Sequence, residues 1–247
     1  MSTVAIEVRN LTVSYQDVPV LQDISIAIPA GLLLAIAGPN GGGKTTFIKS
    51  LLGLVKPTNG SFTIFDTSYD MVRHRIAYIP QRSTVDWDFP VTALDVVLMG
   101  RYHHIGWFRR PKAEDIIKAH EALQQVNLSA YADRHIKELS GGQQQRIFLA
   151  RALAQEADLY LLDEPFIGID ITTEKIIVDI LRTLRDQGKT IVVVHHDLQT
   201  LSEYFDWVFL LNQKKIAFGP VEEVFMPEYI CAAYGERTLF MRWNHRD

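Results

Sequence analysis

Gly38-Pro39-Asn40-Gly41-Gly42-Gly43-Lys44-Thr45 fits the pattern G-x-x-x-x-G-K-[ST]. An apolar run, Leu32 to Ala37, leads into it, and a helical pattern, Phe47 to Leu54, follows. That is the strand, loop and helix order the pattern requires. Glycines let backbone N–H groups turn inward around an anion without Cβ clashes, and the next helix presents its positive end to the same anion. The segment reads as a phosphate-binding loop in which Lys44 reaches the β- and γ-phosphates and Thr45 holds magnesium. A glycine-rich turn with no ligand is the bland alternative, and the Lys-Thr pair between apolar flanks weighs against it.

Leu139-Ser140-Gly141-Gly142-Gln143 runs through Gln144-Gln145-Arg146 into the apolar-periodic Ile147, Phe148, Ala150 and Leu153. It reads as a second helix start aimed at an anion, with Ser140 as N-cap and glycines permitting close backbone approach. Alone it would be a capped surface helix. It shortly precedes Leu159-Tyr160-Leu161-Leu162-Asp163-Glu164-Pro165, an apolar strand ending in two carboxylates. Asp163 at such a strand end suits magnesium, because hard cations take carboxylate oxygens.

With these motifs in this order, the chain resembles the nucleotide-binding subunit of ABC transporters, with matches from Tyr15 to about Gly219. The resemblance implies an α/β fold of the P-loop NTPase class: a mixed or parallel sheet core, an N-terminal antiparallel β subdomain and a helical signature subdomain. Residues 1–247 would form one domain, with the helical part at about 90–155 and a tail from about 220 to 247. ATP and Mg2+ are the implied cofactors. Gly38, Pro39, Asn40, Gly41, Gly42, Gly43, Lys44, Thr45 and Thr46 would cradle the nucleotide. Two copies, or this chain and a paired subunit, would pack head to tail, so that Ser140, Gly141, Gly142 and Gln143 of one cover the ATP of the other.

The same resemblance assigns Glu164 as general base for a water attacking the γ-phosphorus, and His196 in Val194-His195-His196-Asp197-Leu198 as the γ-phosphate switch. His195, beside it, is given a structural role. Gln81, after Tyr78-Ile79-Pro80, would reach magnesium and the attacking water; Asp163 and Thr45 complete the magnesium set. Tyr15 matches the aromatic that stacks on adenine. Phe166-Ile167-Gly168-Ile169-Asp170 departs from the commoner Thr-Ser-Ala-Leu-Asp form of the loop facing the opposite subunit, although Asp170 is retained.

Composition agrees with an ATPase subunit that works through partners. A length of 247 residues allows ample core. The single cysteine, Cys231, excludes an internal disulfide, and a net charge of −4 gives no sign of a nucleic-acid face. No apolar run approaches the ~18 residues needed to span a bilayer, and no signal-peptide pattern is seen at the start. Any membrane role must come through partners, and the resemblance implies a peripheral location on the cytoplasmic face of the membrane.

Along the chain, Val4 to Tyr15 and Ile24 to Ile28 alternate like antiparallel strands, with a turn expected at Asp17-Val18-Pro19. A strand is expected at Ser61 to Phe65 after a turn at Pro57 to Gly60. Helices are expected at Val91 to Met99 and Ala113 to Val126, the second with Ile116, Ile117, His120 and Leu123 on one face. Strands return at Leu159, Thr190 and Trp207, with a helix near Thr172, as in a βαβ core. A short strand, Lys214 to Gly219, then leads through Val221 to Phe225 into a polar tail.

The stretch Gln81 to Thr92, with Leu98 to Tyr102 and Gly106 to Pro111, looks like the ATPase subunits of manganese, zinc and iron importers. In that group this region meets the integral membrane permease, and exposed aromatics flanked by arginines, such as Trp87 and Phe89, suit a protein interface. His103 and His104 are adjacent, diverge, and read as solvated or docking residues. The implied function is powering transition-metal import, manganese first, zinc or iron (or an iron chelate) as alternatives, with an extracytoplasmic solute-binding protein as indirect partner. A soluble ABC ATPase, a nucleotide-sensing module and a phosphate-loop kinase are the other readings; the kinase leaves Leu139 to Gln143 unexplained.

Overall fold

A computed structural model describes residues 3–106 and 109–235. Trp107 and Phe108 of the expected docking stretch, and the tail beyond Gly235, lie outside them. The chain begins with β1 (Val4–Tyr15), β2 (Val18–Pro29), β3 (Leu33–Ala37), α1 (Lys44–Leu51), β4 (Asn59–Ile64), α2 (Tyr69–Val72) and β5 (Ile76–Ile79). It continues with α3 (Ala93–Met99), α4 (Tyr102–Ile105), α5 (Ala113–Gln125), α6 (Gly141–Ala154), β6 (Leu159–Asp163) and α7 (Ile171–Asp186). Last come β7 (Thr190–Val194), α8 (Leu201–Tyr204), β8 (Trp207–Asn212), β9 (Lys214–Pro220), α9 (Val221–Val224) and α10 (Pro227–Tyr234). Contacts divide the chain into two compact units, 1–73 with 190–247, and 74–189.

In the first unit, β1 lies between β2 and β4 in an antiparallel sheet. The hairpin turn falls at Gln16-Asp17, one residue earlier than expected, and β2 starts at Val18 rather than Ile24. Both turn residues take positive φ, 47° and 66°, which matches the strand twist in a two-residue turn. The first unit also holds β7-β3-β8-β9, with β3 parallel to β7 and β8, and β9 antiparallel to β8. Every residue of β3 and β7 is buried, as continuous apolar runs in parallel strands demand. After β9 the chain forms α9 and, at the start of the expected tail, α10, where Asn212 Nδ2 donates to the Ala233 carbonyl at 3.0 Å.

His195 belongs to this core, as the sequence reading held. It is 2% exposed, its ring centroid lies 5.2 Å from that of Phe205, its backbone N–H donates to the Ile36 carbonyl, and Nε2 lies 2.7 Å from Thr200 Oγ1. Burial, then the charge of neighbouring His196, pushes the imidazole down to about 4.

The second unit carries the parallel pair β5-β6 and helices α3 to α7. Helix α3 starts at Ala93, not Val91, because Thr92 caps it in a reciprocal capping box with Asp95. The expected face of α5 is wrong in part: Leu123 is buried, but Ile116 and Ile117 are exposed, 40% and 57%, and so is His120. The buried stripe is Asp115, Ala119, Ala122 and Leu123. Alanines admit close helix approach but signal weakly in a pattern, and Asp115 turns inward to meet a cation. That cation is Arg101, 5% exposed, whose Nε lies 3.3 Å from Asp115 Oδ1 while Nη1 reaches Glu156 Oε2 at 2.6 Å and the Ala154 carbonyl at 3.0 Å. The guanidinium thus ties the segment between α3 and α4 to α5 and to the end of α6.

Two outcomes test this packing. Arg101→Met strands the buried Asp115 carboxylate and should cost about 3 kcal/mol, in the range for removing one partner of a buried pair, read as a shifted urea midpoint. For His195, the folded pKa of about 4 lies below the ordinary 6.5, so its stabilising contribution is present at neutral pH and lost as pH falls from 6.5 through 4. His195→Gln should flatten that slope, which is worth about 3 kcal/mol across the window, in thermal melts at stepped pH.

Candidate functional site

In the first unit the parallel register sets Ile36 beside Val194, so β3 and β7 end at the same edge of the sheet. The segments that follow these buried strands differ from them at once: glycine-rich Gly38 to Gly43 after β3, His195-His196 after β7. Ligands in parallel α/β sheets gather at this carboxyl edge. Gly38 has φ +155°, and a Cβ there would stand 1.8 Å from the Leu211 carbonyl oxygen of β8. Gly43 caps α1 at φ +91°, a left-handed conformation with no side chain over the helix end. The loop is held by Gly42 N–H donating to the Pro39 carbonyl and Gln213 N–H to the Gly42 carbonyl.

Lys44 is only 6% exposed, and its ammonium donates to the carbonyls of Gly38 and Pro39 at 2.8 and 2.9 Å. The loop is therefore wrapped around a cation and backed by a helix N-terminus, which fits an anionic phosphate. Asn40 and Gly41 form the exposed tip, Pro39 beside them is half-buried, and Thr45 and Thr46 lie half-buried on the first turn of α1. His196 is exposed. Tyr15, ending β1, is 48% exposed.

In the second unit the same rule operates on β5 and β6. Ile79 pairs with Leu162, so Gln81 and the Asp163-Glu164 pair emerge at one edge. Asp163 is 1% exposed, and Glu164, half-buried, takes φ +53°. A left-handed non-glycine residue costs roughly 1–2 kcal/mol, and such strain collects at functional positions. Gln81 Nε2 donates to Glu164 Oε2 at 2.5 Å, joining two residues 83 apart in sequence. Burial, then the charge of Asp163, pushes the Tyr78 phenol up to about 12.

Ser140 caps α6 as expected: its hydroxyl accepts from Gln143 N–H while the Gln143 side chain accepts from Ser140 N–H. Gly141 and Gly142 form the first turn; a Cβ on Gly141 would lie 2.9 Å from the Arg82 guanidinium, and one on Gly142 would lie 3.1 Å from Thr173 Oγ1. Asp170 caps α7, its carboxylate accepting from the backbone and hydroxyl of Thr173, and these bonds hold it below the usual carboxylate range. In the atypical segment before it, Phe166 is buried and Ile167 exposed.

Hard oxygen donors of the kind magnesium takes are present in Thr45 and Asp163, one in each unit. Among the described residues no cluster of three or more His, Cys, Asp or Glu is arranged to hold a metal by itself. His103 and His104 are exposed, and the His103 ring stacks on His74 with centroids 4.7 Å apart. Of the expected docking aromatics, Phe89 is 57% exposed, but Trp87 is half-buried, its ring centroid 5.0 Å from that of Phe148. Arg82 and Gln144, which bond at 3.0 Å, were not singled out from the sequence; the arginine directly after Gln81 was the available signal.

Residues 21–167 match the family model described as ABC transporter. The chain is 54% identical over 237 residues to the manganese transport system ATP-binding protein MntB of Bacillus subtilis (strain 168), covering 96% of this chain and 95% of that protein. It is 52% identical to the zinc transport system ATP-binding protein TroB of Treponema pallidum (strain Nichols), covering 98% and 92%. Among solved structures, a metal-chelate type ABC transporter in an inward-facing conformation superposes with a TM-score of 0.83 at 33% identity, covering 94% of this chain and 88% of that one. A phosphate loop, a glycine-rich capped helix and a carboxylate-ended strand, in this order and with these relatives, place the chain in the ABC transporter family, as an ATP-binding domain.

Proposed function

We propose that this chain is the ATP-hydrolysing subunit of a transition-metal importer, with manganese as cargo. Gln81 bonded to a backbone-strained Glu164 at the carboxyl edge of two parallel strands carries the catalytic part of this reading. Both side chains have the groups to hold and polarise one water. The cargo assignment is supported by the relatives named for manganese transport in Bacillus subtilis and, at 47% identity, in Listeria monocytogenes. Zinc is the second reading, favoured by the Treponema pallidum relative.

In this reading Lys44 and the backbone N–H groups of residues 40–44 bind the β- and γ-phosphates, and Tyr15 stacks on adenine. Thr45, Asp163 and Gln81 hold Mg2+, which supplies charge neutralisation on the phosphates. Glu164 takes the proton of the attacking water as the water oxygen bonds to the γ-phosphorus, the bond from that phosphorus to the β–γ bridging oxygen breaks and ADP leaves with its electron pair, while His196 donates to the γ-phosphate. Positioning and charge stabilisation do most of the work in phosphoryl transfer. Ser140 to Gln143 of one copy, or of a paired subunit, close over the nucleotide of the other, and Asp170 couples the two. A γ-phosphate bridging both subunits gives ATP the differential affinity that closure requires. Among the described residues no helix is long and apolar enough to cross a membrane. The chain would work from the cytoplasmic face, on a membrane permease fed by an extracytoplasmic solute-binding protein.

Glu164→Gln should cut turnover by roughly 10²- to 10⁴-fold, the range for losing a general base, while still binding ATP and accumulating as a dimer on size-exclusion chromatography with ATP and Mg2+. Lys44→Ala should lose nucleotide binding as well as turnover, in titrations with a fluorescent ATP analogue. A Glu164→Gln variant that stays monomeric even with the permease present defeats the closure model. Cells lacking the gene should lose manganese uptake and regain it with wild type but not Glu164→Gln; restoration of zinc uptake alone would decide for the second reading.

A further inference from the structure

Arg82 follows Gln81 directly, yet its side chain leaves that loop and reaches the start of α6. Nη2 donates to Gln144 Oε1 at 3.0 Å, and the guanidinium occupies the space beside Gly141. Gln144 is 5% exposed and its Nε2 donates to the Ile136 carbonyl at 3.0 Å, fixing the approach to Ser140 from the other side. The backbone of Arg82 is pinned too: Trp87 Nε1 donates to its carbonyl at 3.0 Å, the guanidinium lies 5.7 Å from the Trp87 ring centroid, and that ring packs on Phe148 of α6.

From these contacts we infer that Arg82 is a positioning residue, a strut that makes the glutamine loop and the first turn of α6 move as one body. The inference rests on the ATPase reading above and adds a residue to it. Gln81 senses the Glu164 carboxylate on one side, and one peptide bond later Arg82 grips the helix that presents Ser140 to Gln143. A displacement of residue 81 is thereby carried to the glycine-rich turn through a planar cation bonded to Gln144 rather than through a flexible loop. Methionine at 82 would keep the stem and lose the grip. Lysine would keep one donor without the planar fork. The absence of a side chain at Gly141 leaves the guanidinium its place: a Cβ there would stand 2.9 Å from it.

The test is a double-mutant cycle of Arg82→Met and Gln144→Leu, with Arg82→Lys as the conservative variant. It is read by ATP turnover and by hydrogen–deuterium exchange of the peptide spanning 139–145 without nucleotide. Arg82→Met should lower kcat roughly 10- to 100-fold, the scale of a misplaced catalytic group, with KM within about two-fold of wild type. The double variant should be no slower than the slower single one, because both remove the same link. Exchange at 139–145 should speed up in both single variants and recover in part in Arg82→Lys, while the 40–44 peptide stays as in wild type. Wild-type kcat and wild-type exchange in Arg82→Met, or losses that multiply in the double variant, overturn the strut. A wild-type chain that hydrolyses no ATP would count against the proposed function, and the exchange measurement would still decide for or against the strut.

Discussion

A strand buried on both faces has room for polar groups only at its ends. In this protein that constraint places the chemistry. Strands β3, β6 and β7 are buried at every residue, and each is followed directly by the residues that matter: Gly38, Glu164 with Asp163 as the last strand residue, and the His195-His196 pair. Parallel pairing then turns sequence order into geometry. Because Ile36 lies beside Val194, and Ile79 beside Leu162, loops far apart in the chain leave the same edge of their sheet.

Local backbone demands fall at the same places. The approach of Gly38 to the Leu211 carbonyl leaves no room for a Cβ, and Gly43 turns the chain into α1 through a left-handed conformation. Glu164 takes a left-handed conformation without being glycine, which its neighbours must hold against a cost of roughly 1–2 kcal/mol. The bond from Gln81 shows where part of that restraint comes from. Helix capping serves function in a similar way. Ser140 and Asp170 each satisfy backbone donors at a helix start, so the segments that follow enter the first turn in one defined direction.

The second unit relies on guanidinium groups, buried at Arg101 and half-buried at Arg82, as well as on apolar packing. Arg101 gathers Asp115, Glu156 and the Ala154 carbonyl, and Arg82 links the segment after β5 to α6. At Arg101 the planar fork bonds several partners at once, while Arg82 bonds Gln144 and lies against the Trp87 ring. Such links give a helical region cohesion without the continuous apolar strands that organise the first unit.

Motifs whose chemistry is local were legible in the sequence. The phosphate loop, the Ser140 cap, the carboxylates after Leu162 and the buried character of His195 follow from residue types in contiguous stretches, where a few neighbours dictate backbone and burial. Element types were legible for the same reason, since apolar runs and period-two alternation are local signals. What only the tertiary structure decided depends on partners distant in sequence. The inward turn of Asp115 needed Arg101, and with alanine spacing it moved the buried face of α5 away from Ile116, Ile117 and His120. Trp87 is half-buried because Phe148, 61 positions later, packs on it, and at the start of the expected tail α10 meets Asn212, which donates to the Ala233 carbonyl. A pattern along the chain records which residues avoid water; which neighbour receives them is fixed by the packing of segments the pattern cannot see.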